Sequence, residues 1–128
     1  MTVEFVLDAS ALLATIHREP GADRVADILA CSAMSTVNLA EAFRSVLERG
    51  LSIEGLANRV ESLGVLLEPP TIADAEFAAG LRLTTRDSGL SLADRFCLAL
   101  AERLGATAVT ADGAWTRSDH GTPVELIR

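Results

Sequence analysis

The sequence contains no lysine, and each of its eleven cationic side chains is an arginine. Without lysine the chain cannot use a side-chain amine as a nucleophile, which excludes several enzyme mechanisms at once. Cysteine is also scarce: Cys31 and Cys97 lie in apolar stretches without C-x-x-C spacing, and we expect buried thiols rather than zinc ligands or a disulfide. Aromatic residues make up only 4% of the chain, so aliphatic side chains must build the core.

Long hydrophobic runs are absent as well. No segment approaches the roughly 20 apolar residues that cross a bilayer, and the N-terminus lacks the pattern of a signal peptide. We therefore expect a cytoplasmic protein that does not enter a membrane. The 128 residues have the length of one domain, predicted to span 1–128, and their formal net charge is −7.

Short apolar runs alternate with stretches of helical periodicity along the whole chain. Strands are predicted at residues 3–7, 33–36, 65–67, 107–110 and 124–127. Helices are predicted at residues 9–16, 22–31, 37–49, 53–63, 72–83 and 92–104, with a polar loop at 84–89. Strands that alternate with helices predict an α/β domain whose sheet is mostly parallel and covered on both faces.

Four acidic residues occupy comparable places in this pattern. Asp8 ends the first strand, in VEFVLDASALLA, and Asp112 follows the fourth. Glu41, in TVNLAEAF, and Asp94, in LSLADRFCLALA, lie about one turn inside their helices. In an open α/β sheet, ligands bind at the edge formed by the carboxyl ends of the strands, so we expect the four side chains to gather there.

Each of these acids also has a purely structural explanation. An aspartate before a helix is a good N-cap, and Asp112 lies in an ordinary turn sequence. The segments SLAD, ending at Asp94, and NLAE, ending at Glu41, resemble capping boxes. Capping alone, however, does not require the apolar neighbours of these acids or their placement at one edge of a sheet.

Four carboxylates at one place need a counter-charge. Close together they repel one another, or take up protons, unless a cation lies between them. Mg²⁺ and Mn²⁺ prefer oxygen ligands and need only a few carboxylates, which fits a cluster without histidine or cysteine. Such a cation lowers the pKa of a bound water and neutralises charge on a phosphodiester oxygen. The residues therefore favour metal-assisted phosphodiester hydrolysis, with one or two ions.

Four segments, VLDASALLA, TVNLAEAF, GLSLADRFCLALAERLGA and AVTADGAW, follow one another over almost the whole chain. With them the sequence resembles the PIN-domain ribonucleases, and specifically the VapC toxins of bacterial and archaeal toxin–antitoxin pairs. The resemblance implies a three-layer α/β/α sandwich with a central, mostly parallel sheet. It also implies that a catalytic quartet consists of Asp8, Glu41, Asp94 and Asp112. Of these, Asp8, Asp94 and Asp112 are implied to bind Mg²⁺, with Mn²⁺ as the alternative.

Two hydroxyls accompany the acids in this resemblance. Ser10 and Thr110 match positions where family members often place hydroxyls beside the metal, and we expect them to orient carboxylates or water. Some members carry a further aspartate two positions after the one that matches Asp112, where this sequence has Ala114. The existence of a second metal position is therefore left open.

The resemblance further implies an RNA substrate, a homodimer, and a VapB-type antitoxin whose C-terminal segment wraps the toxin. Because the chain is negative, phosphate contacts must come from local arginines, and Arg86 and Arg95 are the candidates. We expect recognition of a short structured or single-stranded RNA element rather than nonspecific duplex binding.

Other functions remain compatible with parts of the sequence. An enzyme that forms an aspartyl phosphate at Asp8 is disfavoured, because haloacid-dehalogenase-like enzymes usually have an aspartate where Ser10 stands, and receiver domains need a late lysine. A PIN-like module that binds RNA or protein without turnover is an alternative. A housekeeping RNA-processing nuclease is another.

Overall fold

Five parallel strands form the central sheet within residues 2–128, the part of the chain that the computed structural model describes. They are β1 (Phe5–Leu7), β2 (Ser32–Ser35), β3 (Leu66–Glu68), β4 (Thr107–Thr110) and β5 (Val124–Leu126). Their order across the sheet is β3-β2-β1-β4-β5, and every neighbouring pair is parallel. The first strand of the sequence is therefore the middle strand of the sheet, between β2 and β4.

Six α-helices surround the sheet in the same described range. They are α1 (Ala9–His17), α2 (Ala22–Ile28), α3 (Thr36–Glu48), α4 (Leu56–Ser62), α5 (Ile72–Thr85) and α6 (Leu92–Leu104). Short 3-10 helices occur at Leu29–Cys31, Arg86–Ser88 and Gly113–Arg117. None of the helices between residues 2 and 128 combines the length and hydropathy required to span a membrane.

Consecutive residues of the three central strands enter two separate cores. One core contains Val6, Ala33 and Ala108, and the other contains the residues that follow them, Leu7, Met34 and Val109. Side chains alternate in this way because a strand has a period of two residues. Burial on both faces explains why these strands are continuous apolar runs, as parallel strands usually are.

The helices divide between the two faces of the sheet. Buried side chains of α1, α2, α3 and α4 pack in the core that contains Leu7. Side chains of α5 and α6, together with Trp115, pack in the core that contains Val6. The molecule thus has α, β and α layers, and the predicted fold class is confirmed.

The clearest error in the predicted elements is the polar loop at 84–89. Helix α5 continues through Thr85, and the 3-10 helix Arg86–Ser88 follows it directly. The hydroxyls of Thr84 and Thr85 donate to the carbonyl of Leu81, at 3.4 and 2.6 Å, so both are satisfied inside the helix. Polar side chains in this segment are therefore compatible with helix. The ends of the other elements shift by up to three residues.

A partly buried ion pair joins α5 and α6, the two helices on the face of the sheet that holds the Val6 core. Asp74 is 3% exposed and forms a capping box at the start of α5, in which Oδ2 accepts from the Thr71 N–H at 3.1 Å. The same carboxylate accepts hydrogen bonds from Nε and Nη2 of Arg103, near the end of α6, at 3.0 and 3.1 Å. This bidentate pair holds the start of α5 beside the end of α6.

We expect Asp74→Ala to lower the free energy of unfolding by about 2–3 kcal/mol, because it removes a helix cap and the buried member of a partly buried ion pair. Glu48→Ala is the control. Glu48 pairs with Arg44 at 3.7 Å, and both side chains are exposed, so its loss should cost about 0.5 kcal/mol or less. Urea unfolding followed by circular dichroism measures both variants. Equal losses would contradict the importance assigned to the partly buried pair.

Candidate functional site

The four acids that the sequence singles out line one pocket of about 310 Å³. They come from four segments: Asp8 follows β1, Glu41 lies on α3, Asp94 on α6, and Asp112 follows β4. The remaining lining residues are Ala9, Ser10, Leu13, Arg44 and Ser45. The pocket thus stands at the carboxyl edge of the sheet, where the predicted cluster was expected.

Asp8 is the most deeply placed of the four, with 5% of its surface exposed. Its Oδ1 accepts hydrogen bonds from the Ala11 N–H at 2.8 Å and the Ser10 hydroxyl at 2.7 Å, and its Oδ2 accepts from the Thr110 hydroxyl at 2.5 Å. Burial raises the pKa of Asp8 from 3.8 to about 6, although these three hydrogen bonds lower it; the charge of Asp94 raises it further. The pKa shift is therefore mainly the consequence of desolvation.

The hydroxyls of Ser10 and Thr110 connect the segments that follow β1 and β4. Both donate to Asp8. The Ser10 hydroxyl also accepts from the Ala111 N–H at 2.9 Å, and the Thr110 hydroxyl accepts from the Asp112 N–H at 3.0 Å. The two predicted hydroxyl residues therefore contact the Asp8 carboxylate and the backbone next to Asp112 at once.

Asp94 and Asp112 both serve as caps and both line the pocket. Asp94 Oδ2 accepts from the Ser91 N–H at 2.9 Å, in a capping box at the start of α6. Asp112 Oδ1 accepts from the Ala114 N–H at 2.9 Å, at the start of a 3-10 helix. Each cap occupies one carboxylate oxygen, so capping does not exclude a second role for the other. Burial raises the pKa of Asp94, and the charge of Asp112 adds to the rise.

Glu41 is not a cap, and the capping box that NLAE resembles is not formed. Helix α3 begins at Thr36 and has Ser35 as its N-cap, with the Ser35 hydroxyl accepting from the Val37 N–H at 3.2 Å. Glu41 therefore lies in the second turn, where the helix N–H groups are already paired. Burial and the charge of Asp94 raise the pKa of the Glu41 carboxyl.

The donor set of this pocket fits a hard divalent cation, because it consists of carboxylates and hydroxyls. Burial is the main cause of the raised pKa values of Asp8, Glu41 and Asp94, and the charge of a neighbouring acid adds to each, so the carboxylates lie within electrostatic reach of one another. As they stand, no three acidic, histidine or cysteine side chains between residues 2 and 128 converge closely enough to enclose an ion. Metal binding would therefore draw the carboxylates together against their repulsion.

The two arginines predicted to contact substrate do not line this pocket. Arg86 is exposed in the 3-10 helix after α5, and Arg95 Nη1 donates to the Ala78 carbonyl at 2.9 Å. Their contact with a substrate stays a prediction. The pocket instead contains Arg44, which sequence reasoning missed. The available signal was its spacing, because Arg44 lies three residues after Glu41 and so shares its helix face.

A comparison with protein-family models finds that the model of the PIN domain matches residues 5–120. The matched span contains all four acids and the hydroxyl residues Ser10 and Thr110. A search of the curated proteins finds no match.

Solved structures share the fold over almost the whole chain. The DNA-bound VapBC structure from Salmonella typhimurium aligns with a TM-score of 0.77 at 19% identity, covering 99% of this chain and 100% of that chain. VapC20 of Mycobacterium tuberculosis, a sarcin-ricin loop cleaving toxin, aligns with a TM-score of 0.75 at 20% identity, covering 94% and 100%. A toxin–antitoxin complex from Klebsiella pneumoniae aligns with a TM-score of 0.72 at 17% identity, covering 98% of both chains.

Asp8 should make the metal-free protein less stable as the pH rises. The folded chain holds the pKa of Asp8 near 6, whereas 3.8 is its ordinary value, so between these values the folded state keeps a proton that the unfolded chain has lost. The stabilising contribution is complete below about pH 4 and is lost as the pH rises through about 6, a change of about 3 kcal/mol.

Urea unfolding in EDTA, from about pH 4 to about pH 7, tests this expectation. Asp8→Asn cannot ionise, so its free energy of unfolding should fall less over this interval than that of the wild type. The difference between the two proteins cancels the contribution of titrating groups that do not interact with Asp8; it retains the coupling of Asp8 to Asp94. A fall of the same size in both would contradict the assignment of a raised pKa to Asp8.

Proposed function

Since the chain belongs to the PIN domain family, as its four sequence segments predict, we propose that it is a metal-dependent endoribonuclease and the toxin of a toxin–antitoxin pair. PIN domains are nucleases. The observation that carries the proposal is the convergence of four acids from separate segments on one pocket at the carboxyl edge of the sheet. A fold alone does not specify an activity, and this site supplies the chemistry.

Asp8, Asp94 and Asp112 are proposed to hold Mg²⁺, or Mn²⁺ in its place. The bound cation would supply charge neutralisation at the phosphodiester and a more acidic water. The protein contributes a fixed orientation of Asp8, since the Ser10 and Thr110 hydroxyls and the Ala11 N–H restrain both of its oxygens. Asp94 and Asp112 each keep one oxygen beyond the one used for capping.

Glu41 is proposed to take a proton from the attacking water. In hydrolysis of a phosphodiester, the water loses a proton as it attacks phosphorus, while the P–O bond to the leaving oxygen breaks and that oxygen takes a proton from solvent. A nearby carboxylate is a suitable acceptor of the proton from the water. Glu41 suits this role because it lines the same pocket without capping a helix. Its raised pKa brings the carboxylate closer to the basicity that proton transfer at neutral pH requires.

RNA is the proposed substrate, and Arg44 is its proposed phosphate contact. VapC20, which shares the fold, is a sarcin-ricin loop cleaving toxin, which supports RNA over DNA for this chain. Arg44 is the cation among the residues that line the acidic pocket. Its only ion pair within the described chain is the exposed one with Glu48 at 3.7 Å, which is weak enough to be exchanged for a phosphate.

A groove of about 310 Å³ beside α1 and α4 is proposed to receive the antitoxin. It is mostly apolar, with two arginines, and is lined by Leu12, Thr15, Ile16, Arg18, Leu56, Arg59, Val60 and Leu63. An apolar segment that carries acidic side chains would complement both features. A VapB-type antitoxin is the proposed occupant, because the structures that share this fold include VapBC complexes. A homodimer is proposed on the same family basis.

The purified protein should cleave RNA in the presence of Mg²⁺ or Mn²⁺, and cleavage should stop when EDTA removes the ion. Asp8→Asn and Asp94→Asn should each lower the cleavage rate by more than about 100-fold. Removing a group that only hydrogen-bonds a metal ligand typically costs about 10- to 100-fold in metal affinity or activity, and removing the ligand itself should cost more. Gel electrophoresis of end-labelled tRNA and ribosomal RNA fragments measures the rate and maps the cut.

Asp87→Asn is the matched control for this experiment. Asp87 lines a different pocket, with Thr84 and Arg117, and its substitution changes the net charge by the same amount. It should retain the full cleavage rate. If both site variants cleave as fast as the wild type, hydrolysis at the acidic pocket is wrong. Induced expression of the wild type should also arrest growth, and the two site variants should relieve that arrest.

Arg44→Gln should weaken RNA binding and make it less sensitive to salt. Each lost phosphate contact lowers the slope of log affinity against log salt by about 0.7 for single-stranded nucleic acid. The probe is a labelled single-stranded RNA of about 20 nucleotides, measured by fluorescence anisotropy in an Asp8→Asn background that does not cut it. Arg59→Gln is the control, since Arg59 lines the other groove and carries the same charge.

An unchanged slope for Arg44→Gln would contradict the proposed contact. An arm with Arg86→Gln in the same background then decides whether the exposed arginine predicted from the sequence is the phosphate contact.

A further inference from the structure

Asn38 is a fully buried amide on α3, with 0% of its surface exposed. Its Nδ2 donates a hydrogen bond to the carbonyl oxygen of Ala93, in the first turn of α6, at 3.0 Å. Its Oδ1 is buried and accepts no hydrogen bond within residues 2–128. A buried carbonyl without a partner costs about 1–3 kcal/mol, so an apolar side chain would be more stable here unless the amide has a use.

The contact joins two helices that lie on opposite faces of the sheet. Buried residues of α3 pack in the core with Leu7, and those of α6 pack in the core with Val6. The two helices meet beyond the carboxyl edge of the strands, where the acidic pocket lies. Among the residues that the structure describes, no other side-chain hydrogen bond connects α3 directly to α6.

Both ends of this bond are next to an acid of the pocket. Asn38 lies three residues before Glu41, which places the two side chains on the same face of α3. Ala93 immediately precedes Asp94. The amide is also close enough to Glu41 to lower the pKa of its carboxyl, although burial and the charge of Asp94 raise that pKa more strongly. One side chain therefore links the helix that carries Glu41 to the turn that carries Asp94.

We propose that Asn38 is a positioning residue: its bond to the Ala93 carbonyl fixes the first turn of α6 against α3, which places the proposed ligand Asp94, sets its distance from the charge of Glu41, and thereby tunes the affinity of the pocket for a divalent cation. This inference rests on the proposed metal site. Asn38 itself does not touch the substrate or the cation. The loss of a hydrogen bond made directly to a metal ligand typically weakens metal binding by about 10- to 100-fold. Asn38 acts through the backbone carbonyl of Ala93, one residue before the proposed ligand Asp94, so we expect the lower end of that range.

The test is Asn38→Leu in the full chain, with Mn²⁺ alone as the probe. Leucine keeps the branching of asparagine but has neither the donor nor the buried carbonyl, so the free energy of unfolding should be unchanged or higher. Mn²⁺ affinity, measured by calorimetry or electron paramagnetic resonance, should fall by about 10-fold. A role in folding alone cannot lower metal affinity in a variant that is as stable as the wild type.

Ser32→Ala is the matched control. Ser32 is also fully buried and donates to a helix carbonyl, that of Ile28 at 2.7 Å, but it does not line the acidic pocket. This variant should lose stability and bind Mn²⁺ as the wild type does. Asn38→Ala should lose both stability and affinity, which keeps the inference testable if leucine does not fit.

The outcomes separate the inference from the proposed function. If Asn38→Leu and Asn38→Ala both bind Mn²⁺ as tightly as the wild type while Asp8→Asn does not, Asn38 has no positioning role and the metal site stands. If the wild type itself does not bind Mn²⁺ or Mg²⁺, the metal site and the role of Asn38 are both overturned. A 10-fold loss in both Asn38 variants, with Ser32→Ala unchanged, supports the inference.

Discussion

The buried carboxylate of Asp8 is the constraint on which the rest of the pocket depends. It directly follows β1, the middle strand of the sheet, so it lies at the carboxyl edge between the segments that follow β2 and β4. Burial disfavours its charge, and the hydroxyls of Ser10 and Thr110 offset part of that cost. The Thr110 hydroxyl also accepts a hydrogen bond from the Asp112 N–H, so one side chain contacts both acids and holds the backbone of Asp112 beside Asp8.

Capping and the proposed metal binding use the same side chains without competing for the same atoms. Asp94 and Asp112 each cap a helix with one oxygen and line the pocket as well. A cap restrains the side-chain torsions of an aspartate, and this reduces the entropy that the side chain would lose when it binds a cation. The structural and the functional explanations of these acids therefore reinforce each other.

Much of this arrangement could be predicted from the sequence, because it depends on local periodicity and on which residues follow each strand. The alternation of strands and helices, the parallel sheet, and the gathering of four acids at one edge all follow from such patterns. The failures are local as well. The hydroxyls of Thr84, Thr85 and Ser88 bond back to helix carbonyls, so this polar segment is compatible with helix. NLAE is not a capping box, because Ser35, three residues before its asparagine, is the N-cap of α3.

By itself, the sequence determined the five strands and six α-helices of residues 2–128, the family, and the set of carboxylates, since these depend on residue identity and on spacing along the chain. Only the tertiary structure decided that β1 is the central strand, that Arg44 lines the pocket while Arg95 bonds to the Ala78 carbonyl, and that Asn38 reaches the first turn of α6. The physical reason is that these contacts join segments distant in sequence, whose relative placement depends on how two cores pack against the two faces of the sheet.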